Sequence, residues 1–417
     1  MNFYRKISFL LICAYIMLLP LIPQEVVFKG VAVTDFILAL IVFLYIINLL
    51  VSKGSRENFK DGIIDFFTDK LSIFITLLLG IMLLSTIYAK NKGLALSESA
   101  RFITYIFLYF VIKYEFNSKK QIKTLLKFYI STSFILCCIG VLQYFTGFAL
   151  NETFRRSYNN GVITRITSTF ANPNAFGAYL ILIIFPVIML SIYEKNKTKK
   201  IMYVLLSMLV IINLVMTFSR NAILGLGIGL LVLTLIYSIK WIFALGGLAI
   251  LLSFIPSVFQ RIVGTFDLHQ NELRIKLWKT ALYMIRDHPI LGVGNGNFVT
   301  KYNEYVSKYK ELKYYAYKNY PNHNSYLKFE SELGILGIAS FIGIIITVLF
   351  RIKKLYSTTK DKFYIPFYTG IMASMIVFLL MNLSDNLLFL PKVTTYFWFI
   401  IATAEAIRYK SHNLQQQ

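Results

Sequence analysis

The sequence predicts an all-α polytopic membrane protein with about twelve transmembrane helices and a large, partly helical extracytoplasmic loop between the ninth and the tenth. Hydrophobic residues make up 57% of the 417 residues, and charged residues make up only 15%. Soluble domains average roughly 45–50% apolar and about 25% charged residues. The mean hydropathy is +0.63. The apolar residues gather into runs of about 20, the length that crosses a bilayer as a helix, which argues against a soluble fold.

Twelve apolar segments fit this length, with ends set to within a few residues. The first follows Arg5 and Lys6, as in a signal peptide, but it lacks a small-residue cleavage site. We therefore expect it to be retained as the first helix. The twelve segments are residues 7–23, 32–52, 71–89, 98–114, 124–146, 175–193, 201–218, 221–239, 241–258, 333–350, 364–383 and 390–407.

The distribution of lysine and arginine sets the orientation, because short cytoplasmic loops carry an excess of both. Placing the N-terminus in the cytoplasm puts the basic clusters 53–70, 113–127, 195–200 and 351–362 inside and leaves the short outer loops poor in basic residues. We therefore expect a multi-pass protein of the cytoplasmic membrane with both termini in the cytoplasm. Much of the net charge of +23 then reflects topology, and nucleic acid is not expected as a partner.

The large outer loop, residues 259–332, has a charge that topology does not explain. It holds eleven Lys and Arg residues against seven Asp and Glu residues. Long loops escape the orientation rule, so this surplus needs another cause. Candidate chemistry therefore lies on the outer face.

Arg220 lies in the run 217–221 (TFSRN), between two apolar segments that we place as a tight hairpin at the outer surface. An arginine at such a position can be a snorkelling charge that reaches the headgroups. The alternative is a fixed guanidinium that faces an anionic ligand, because arginine matches phosphate bidentately.

A helix is predicted over residues 271–286. Arg274 and Trp278 are four residues apart and share a face of this helix. We expect the helix to lie along the outer leaflet of the membrane with its apolar side in the lipid. Its apolar positions, at helical spacing, are Leu273, Leu277, Ala281 and Met284.

Residues 288–298 (HPILGVGNGNF) superficially resemble a glycine-rich phosphate loop. They lack the Lys-Ser/Thr ending and a preceding strand, so a nucleotide site is not expected. We expect the glycines to allow a turn that packs close to the helix ends, and His288 is a weaker candidate for chemistry. The tyrosines that follow favour an interfacial belt, with a sugar-binding cleft as the alternative. They are Tyr302, Tyr305, Tyr309, Tyr314, Tyr315, Tyr317 and Tyr320.

His323 is the strongest candidate for catalysis. It is one of four histidines and lies in a polar run directly before the tenth apolar segment. A lone histidine beside a helix is more often a structural hydrogen-bond partner. Arg220, Arg274 and His323, however, fall on the same side of the membrane under the orientation that the lysines set. An imidazole of ordinary basicity can take a proton from an attacking hydroxyl near neutral pH.

The sequence favours neither a metal nor another cofactor. The outer loops contain no Asp-x-Asp pair. Asp267, His269 and Glu272 could in principle ligate a cation, but a solvated polar turn is favoured. The three cysteines lie in apolar runs without metal-site spacing, and we expect neither a disulfide nor a zinc site.

Several of these runs, in their order and spacing, resemble the O-antigen ligase and polymerase superfamily of bacterial membrane glycosyltransferases. The resemblance covers the chain from about residue 165 to its end, and the first five apolar segments carry no matching motif. The matching stretches are residues 168–174 (STFANPN), residues 217–221, Arg274 with Trp278, residues 288–298, His323 and Asn324 with Tyr326 and Leu327, and then Glu332 and Gly334.

The resemblance implies a reaction and its residues. Members of the superfamily take a glycan from undecaprenyl pyrophosphate on the outer face of the cytoplasmic membrane and pass it to an acceptor hydroxyl without a metal. The family histidine corresponds to His323, the expected base, and the family arginines to Arg220 and Arg274. Arginines that hold the leaving pyrophosphate stabilise the transition state electrostatically. Further substrate-binding residues are expected in the same matching runs: Ser219, Asn324 and Glu332.

The resemblance also predicts partners and a division of the chain. The expected partners are the undecaprenyl-pyrophosphate-linked glycan donor, a glycan, lipid or protein acceptor, and membrane lipids. Residues 1–146 are expected to form the N-terminal transmembrane helices 1–5, and residues 411–417 a cytoplasmic tail. Residues 147–410 are expected to form an O-antigen ligase-like membrane domain that includes the extracytoplasmic loop 259–332.

The acceptor stays open between members of this superfamily. A ligase transfers to the lipid A–core of lipopolysaccharide, a polymerase to another lipid-linked repeat unit, and a third relative to protein. The His-Asn pair favours the ligase, an enzyme of surface polysaccharide assembly. From another class, a lipid-linked oligosaccharide flippase would carry charges along a central cavity, whereas Asp35, Glu98 and Asp385 lie close to span ends. A scaffold without enzymatic activity would not need arginine and histidine on one face.

Overall fold

The structure is a computed structural model that describes residues 3–23, 27–28, 31–158, 161–254, 271–314, 319 and 321–416. In these ranges the chain forms a helical bundle with two short antiparallel hairpins, β1 Val27–Phe28 with β2 Val31–Ala32 and β3 Arg155–Tyr158 with β4 Gly161–Thr164. The helices are α1 Phe3–Leu21, α2 Val33–Val51, α3 Lys53–Thr68, α4 Lys70–Tyr88, α5 Lys92–Phe110, α6 Lys119–Thr146, α7 Pro173–Tyr193, α8 Lys197–Met216, α9 Arg220–Ile236, α10 Trp241–Ser253, α11 Glu272–Asp287, α12 Phe298–Lys308, α13 Ser325–Thr358, α14 Tyr364–Met381 and α15 Pro391–Gln416. A π-helical turn, Val111–Glu115, extends α5.

The all-α polytopic membrane fold is confirmed. Nine of the described helices are long and apolar enough to cross a membrane, namely α1, α2, α4, α5 with its π-helical turn, α6, α7, α8, α13 and α14. The other three predicted spans coincide with α9, α10 and α15. Of these, α9 and α10 have only 17 and 13 residues, and α15 carries Lys392, Glu405 and Arg408. The number twelve therefore stays a prediction, and residues 255–258 of the predicted ninth span lie outside the described residues.

Helix α3 escapes a search for apolar runs because it has too many charged residues. It lies where the sequence predicts a cytoplasmic loop. The Ser52 side chain caps it by accepting a hydrogen bond from the backbone N–H of Ser55 at 3.4 Å. Its exposed apolar residues Phe59, Ile64 and Phe67, among many charges, are typical of a helix at a membrane interface.

The core of the bundle is built around α7, which is almost entirely buried. Helix α14 packs closely against it at Gly370, where an added Cβ would lie 2.4 Å from the backbone nitrogen of Pro186. The Ser374 hydroxyl donates to the carbonyl of Ile181 at 2.8 Å. Small residues and hydrogen bonds hold membrane helices together, because apolar contact between helices gains little over contact with lipid. The candidate functional site is built on the first residues of α7 and the turn after α14.

A network of buried ion pairs closes one end of the bundle, which we call the network end. Asp69, which precedes α4, binds Arg351 of α13 at 2.7 Å and Arg408 of α15 at 3.1 Å. Glu405 of α15 binds the same two arginines at 2.7 and 3.0 Å. Lys113 of the π-helical turn lies 3.8 Å from Asp69. The opposite end, where α7, α9 and α13 begin, is the site end.

Asp69→Asn is expected to destabilise the protein, because it leaves two neighbouring arginines to share Glu405. Removing one partner of a buried ion pair costs about 3–5 kcal/mol. The measurement is the thermal unfolding midpoint of the purified protein in detergent. Asp61→Asn makes the same change at an exposed position of α3, and we expect it to unfold at the wild-type temperature. Equal midpoints for Asp69→Asn and Asp61→Asn would show that the network contributes nothing to stability.

Candidate active site

A cavity of about 410 Å³ lies at the site end. Arg220 of α9 and Arg274 of α11 both line it, so the structure brings the two predicted arginines together. Arg165, from the loop after β4, is a third guanidinium in the same wall. No acidic side chain occurs among the described lining residues. These are Arg165, Asn174, Arg220, Asn221, Leu224, Asn271, Arg274, Ile275, Trp278 and Ser384.

The turn before α9 places Arg220 at the first position of the helix. Phe218 has a φ of 48°, a left-handed conformation that residues other than glycine rarely adopt. The Ser219 side chain accepts the backbone N–H of Ala222 at 3.4 Å, and the Ser219 N–H donates to the Thr217 hydroxyl at 3.1 Å. Ser219 is buried and caps the helix. The geometry therefore gives Ser219 a part in positioning Arg220 and does not support the expected contact with substrate.

Arg165 is tied to both neighbouring elements. Its Nε donates to the carbonyl of Thr217 at 3.2 Å, and its Nη2 donates to Oδ1 of Asn174 at 3.5 Å. Asn174 lies in the first turn of α7, which Asn172 caps. Neither Arg165 nor Asn174 is among the site residues that the sequence predicts. The signal that could have found them is an arginine shortly before the polar run 168–174 (STFANPN) that opens a span.

His323 lies beside the cavity wall. Its Nδ1 is 3.3 Å from Oδ1 of Asp385, and its carbonyl accepts the indole N–H of Trp278 at 3.3 Å. The φ of His323 is 53°, so the residue holds a strained conformation of the kind that clusters at functional sites. The structure thus joins His323 to α11, which carries Arg274. His323 itself is not among the described residues that line the cavity.

Asp385, in the turn between α14 and α15, contacts His323, whereas the sequence pattern places it merely at the end of a span. Its Oδ2 accepts a hydrogen bond from Asn174 at 3.0 Å, and its Oδ1 accepts the backbone N–H of Asn386 at 2.9 Å. Burial acts to raise the pKa of the Asp385 carboxyl, but the hydrogen bond and charge of His323, with the charge of Arg274, hold that pKa below its usual range. The carboxylate is therefore ionised at neutral pH.

Asn324 has a structural part in this arrangement. Its Oδ1 accepts the backbone N–H groups of Tyr326 and Leu327, both at 3.0 Å, and so caps α13. Its Nδ2 donates to the carbonyl of Leu383 at 2.9 Å. Because the side chain is buried and engaged at both atoms, the geometry does not support the expected role of Asn324 in substrate binding. These contacts of Asn324 fix the backbone directly after His323.

Glu332 lies away from the cavity. Both carboxylate oxygens are 2.7 Å from Nζ of Lys328, and they also accept the backbone N–H groups of Gly296 and Phe298 at 2.8 and 3.1 Å. The side chain is buried. The hydrogen bonds of Glu332 attach residues 288–298, which we call the glycine run, to α13. The geometry therefore does not support the expected contact of Glu332 with substrate.

The glycine run packs against a kink in α13. Gly334 has a φ of 66°, and an added Cβ there would lie 2.1 Å from the carbonyl oxygen of Ile290. Gly292 has a φ of 68°, and its Cβ would lie 2.3 Å from the backbone of Glu332. Both positions require glycine because of conformation and of space. The glycines thus allow close packing at a helix, as the sequence predicts.

The predicted helix over 271–286 is present as α11, but its surroundings differ from those expected. Its apolar residues Leu277, Ala281 and Met284 are fully buried and pack with Phe298 and Tyr302. The apolar side is covered by protein because α12 folds back over it, so the expectation that it lies in the lipid of the outer leaflet is wrong.

Two further expectations concern the rest of the large loop. Tyr302 and Tyr305 are buried in the cluster between α11 and α12, so neither belongs to an interfacial belt or lines a sugar cleft. In the described part of the chain no three His, Cys, Asp or Glu side chains are grouped to hold a metal ion. Outside the described residues lie Asp267, His269, Tyr315, Tyr317 and Tyr320.

Comparison with known proteins gives matches of two kinds. Residues 205–342 match a family model described as O-antigen ligase. The ComP-specific O-oligosaccharyltransferase of Acinetobacter baylyi is 25% identical over 291 residues, 63% of this chain and 49% of that protein. The putative polysaccharide ligase of Rickettsia felis is 25% identical over 371 residues, 84% of this chain and 87% of that protein. The chain therefore spans about half the length of the first relative.

The family match and the cavity overlap in part. The matched range contains Arg220, Arg274 and His323, whereas Arg165 and Asp385 lie outside it. The three-dimensional arrangement is therefore what associates these last two residues with the others.

Glu332→Gln is expected to lower the thermal unfolding midpoint, because it leaves the buried Lys328 ammonium without its counter-charge. Breaking such a pair from one side costs about 3–5 kcal/mol. Glu330→Gln is the matched control on the same helix turn, at a half-exposed position, and is expected to leave the midpoint unchanged. If Glu332→Gln instead keeps the wild-type midpoint and weakens substrate binding, Glu332 belongs to the substrate site.

Proposed function

Because the chain belongs to the O-antigen ligase superfamily, we propose that it moves a glycan from undecaprenyl pyrophosphate to an acceptor hydroxyl, without a metal. The family match and the names of the relatives support glycan transfer by a membrane-embedded enzyme. The proposal adds the lipid-pyrophosphate donor, the outer face of the cytoplasmic membrane as the site of reaction, and the cytoplasmic placement of both termini. We propose the acceptor of a ligase, the lipid A–core of lipopolysaccharide, ahead of the alternatives.

The observation that carries the proposal is the cavity in which three guanidiniums meet beside a histidine–carboxylate pair. Guanidiniums gathered at one place create a positive potential that attracts an anion. Arg165, Arg220 and Arg274 offer planar, multidentate donors that suit phosphate oxygens. A pyrophosphate fits this charge, and the lipid chain that carries it fits a cavity at the end of membrane-spanning helices.

The positive charge of the described site residues complements the negative charge of the donor. Among the described residues of the site, three guanidiniums outnumber the one carboxylate of Asp385, and a pyrophosphate diester carries two negative charges. Cleavage of the sugar–phosphate bond exposes a further ionisable oxygen on the leaving pyrophosphate. A proton taken up by His323 adds one positive charge at the same moment. The site therefore stabilises the charge that develops during the reaction.

The contact with Asp385 assigns the roles of the two imidazole nitrogens. An ionised carboxylate accepts the Nδ1–H of His323, which leaves Nε2 to accept a proton. In the proposed step, Nε2 takes the proton of the acceptor hydroxyl while that oxygen forms a bond to the anomeric carbon. The bond from this carbon to the phosphate oxygen breaks, and its electron pair stays on the pyrophosphate. Attack from the side opposite the leaving group inverts the anomeric carbon.

Proteoliposomes test the function directly. The purified chain is supplied with undecaprenyl-pyrophosphate-linked glycan and one acceptor at a time, and released undecaprenyl pyrophosphate is measured. The acceptors are lipid A–core, a second lipid-linked repeat unit and an acceptor protein, which separate ligase, polymerase and protein glycosylation. A flippase would move the donor across the bilayer without releasing undecaprenyl pyrophosphate, and that result would overturn the proposal.

His323→Ala is expected to lower the transfer rate by roughly 10²–10⁴-fold, the usual contribution of a general base. Asp385→Asn should also slow transfer, because the carboxylate that orients His323 and stabilises the imidazolium formed during transfer is lost. His288→Ala is the control and should keep the wild-type rate, because His288 is exposed and is not among the described residues that line the cavity. Wild-type turnover by folded His323→Ala would end the assignment of His323 as base.

Replacing Arg165, Arg220 or Arg274 by lysine is expected to slow transfer even though the charge is kept, because lysine lacks the guanidinium fork. Loss of one such charged donor in the transition state costs about 2.7–4 kcal/mol, or roughly 10²–10³-fold in kcat. Arg286→Lys, at an exposed position of α11, is the matched control. Full activity in all three site variants would remove the argument for a pyrophosphate clamp.

A further inference from the structure

A second cavity lies at the site end, on a different part of the bundle. Its volume is about 490 Å³, and four helices, α1, α2, α5 and α15, form its wall. It shares no lining residue with the cavity of the three arginines. Arg101 and Asp35 contribute opposite charges to it. Hydroxyl groups add further polar contacts, and they belong to Tyr15, Thr34, Ser97, Thr104, Tyr105 and Thr395.

Arg101 is a charge within a candidate membrane span, since α5 with its π-helical turn is one of the nine. An ionisable residue in such a segment is costly to insert and commonly serves a function. Glu98 binds Nη1 of Arg101 at 3.0 Å. A guanidinium has five N–H donors, so this single bond leaves donors for a ligand. The side chain is one-third exposed, which makes it accessible.

The heights of the two charges can be compared because α2 and α5 touch each other. The rings of Tyr45 and Phe107 are in contact, with centroids 6.0 Å apart. Asp35 lies ten residues from Tyr45, and Arg101 lies six residues from Phe107. At a rise of 1.5 Å per residue, Asp35 is about 15 Å and Arg101 about 9 Å from the contact.

The carboxylate of Asp35 thus lies nearer the site end of the bundle than the guanidinium of Arg101. The difference in depth is about the length of a small lipid headgroup. Lys392 adds a buried positive charge, but its ammonium donates to the carbonyls of Ile22 and Thr169 at 2.7 and 2.8 Å, so its donors serve the protein. Below Asp35 the outside of α2 presents exposed Phe36 and Phe43, apolar surface along which acyl chains can lie.

We propose that this cavity binds an amine-headed zwitterionic phospholipid of the phosphatidylethanolamine type. Its phosphate binds Arg101, and its ammonium group binds Asp35. In such a lipid the amine lies at the membrane surface, the phosphate beneath it and the chains beneath both, which is the order in which the cavity presents its carboxylate, its guanidinium and the apolar face of α2. A phosphate without an amine leaves Asp35 unmatched. This inference does not depend on the proposed glycan transfer.

Native mass spectrometry of the purified full-length protein tests the site. The protein is equilibrated in mixed micelles with equal amounts of phosphatidylethanolamine and phosphatidylglycerol, and the retained lipid is measured. Wild type is expected to prefer phosphatidylethanolamine by up to about fivefold, the value of one exposed ion pair. Asp35→Asn should abolish this preference while phosphatidylglycerol binding stays. Arg101→Gln should reduce retention of both lipids by about tenfold or more, since it removes a charged hydrogen-bonding partner of the phosphate.

Asp61→Asn and Lys92→Gln are the matched controls, because both are exposed and lie outside this cavity, and both should retain lipid as wild type does. Arg101→Lys covers the case in which Arg101→Gln fails to fold, and it should keep part of the binding. Equal retention of the two lipids by wild type, or wild-type retention by folded Arg101→Gln, would overturn the proposal. So would preferential retention of undecaprenyl phosphate in a third micelle mixture, which would assign the cavity to the lipid carrier.

Discussion

The buried carboxylate of Asp385 is the group on which the site depends. It contacts His323 at 3.3 Å and Asn174 at 3.0 Å, and so it joins the turn before α15 to the starts of α13 and α7. An ionised carboxylate in this position is stable only because cations and N–H donors surround it. The same group therefore fixes the orientation of the imidazole and compensates part of the charge of the nearby arginines.

Helix starts form the framework that holds these side chains. Caps at Asn172, Ser219 and Asn324 begin α7, α9 and α13, and all three helices start at the same end of the bundle. The partial positive charge at a helix N-terminus favours an anion nearby. The turns that lead into these helices each include a non-glycine residue with positive φ, namely Ser168, Phe218 and His323. The geometry of the site is therefore held by backbone conformation as much as by side-chain contacts.

The positions of the helices can be predicted from the sequence, but most of the contacts between them cannot. Apolar runs predict the helices well because a bilayer requires a minimum length, and the polar α3 escapes this criterion. Arg220 and Arg274 could be assigned to one side of the membrane from lysine distribution. Asp385 could not be paired with His323, because 62 residues separate them in the chain and no periodicity encodes the contact. The apolar side of α11 likewise gives no indication whether lipid or α12 covers it.

The tight crossing of the glycine run and the kinked start of α13 limits how the large loop could be exchanged between related proteins. Backbone atoms around Gly292 and Gly334 leave no room for a side chain, and Glu332 clasps the loop backbone from α13. The glycine run and the first turns of α13 thus form one complementary packing interface. A chimera that received the loop without the first turns of α13 would lose this interface. A functional chimera therefore has to receive both segments from the same protein.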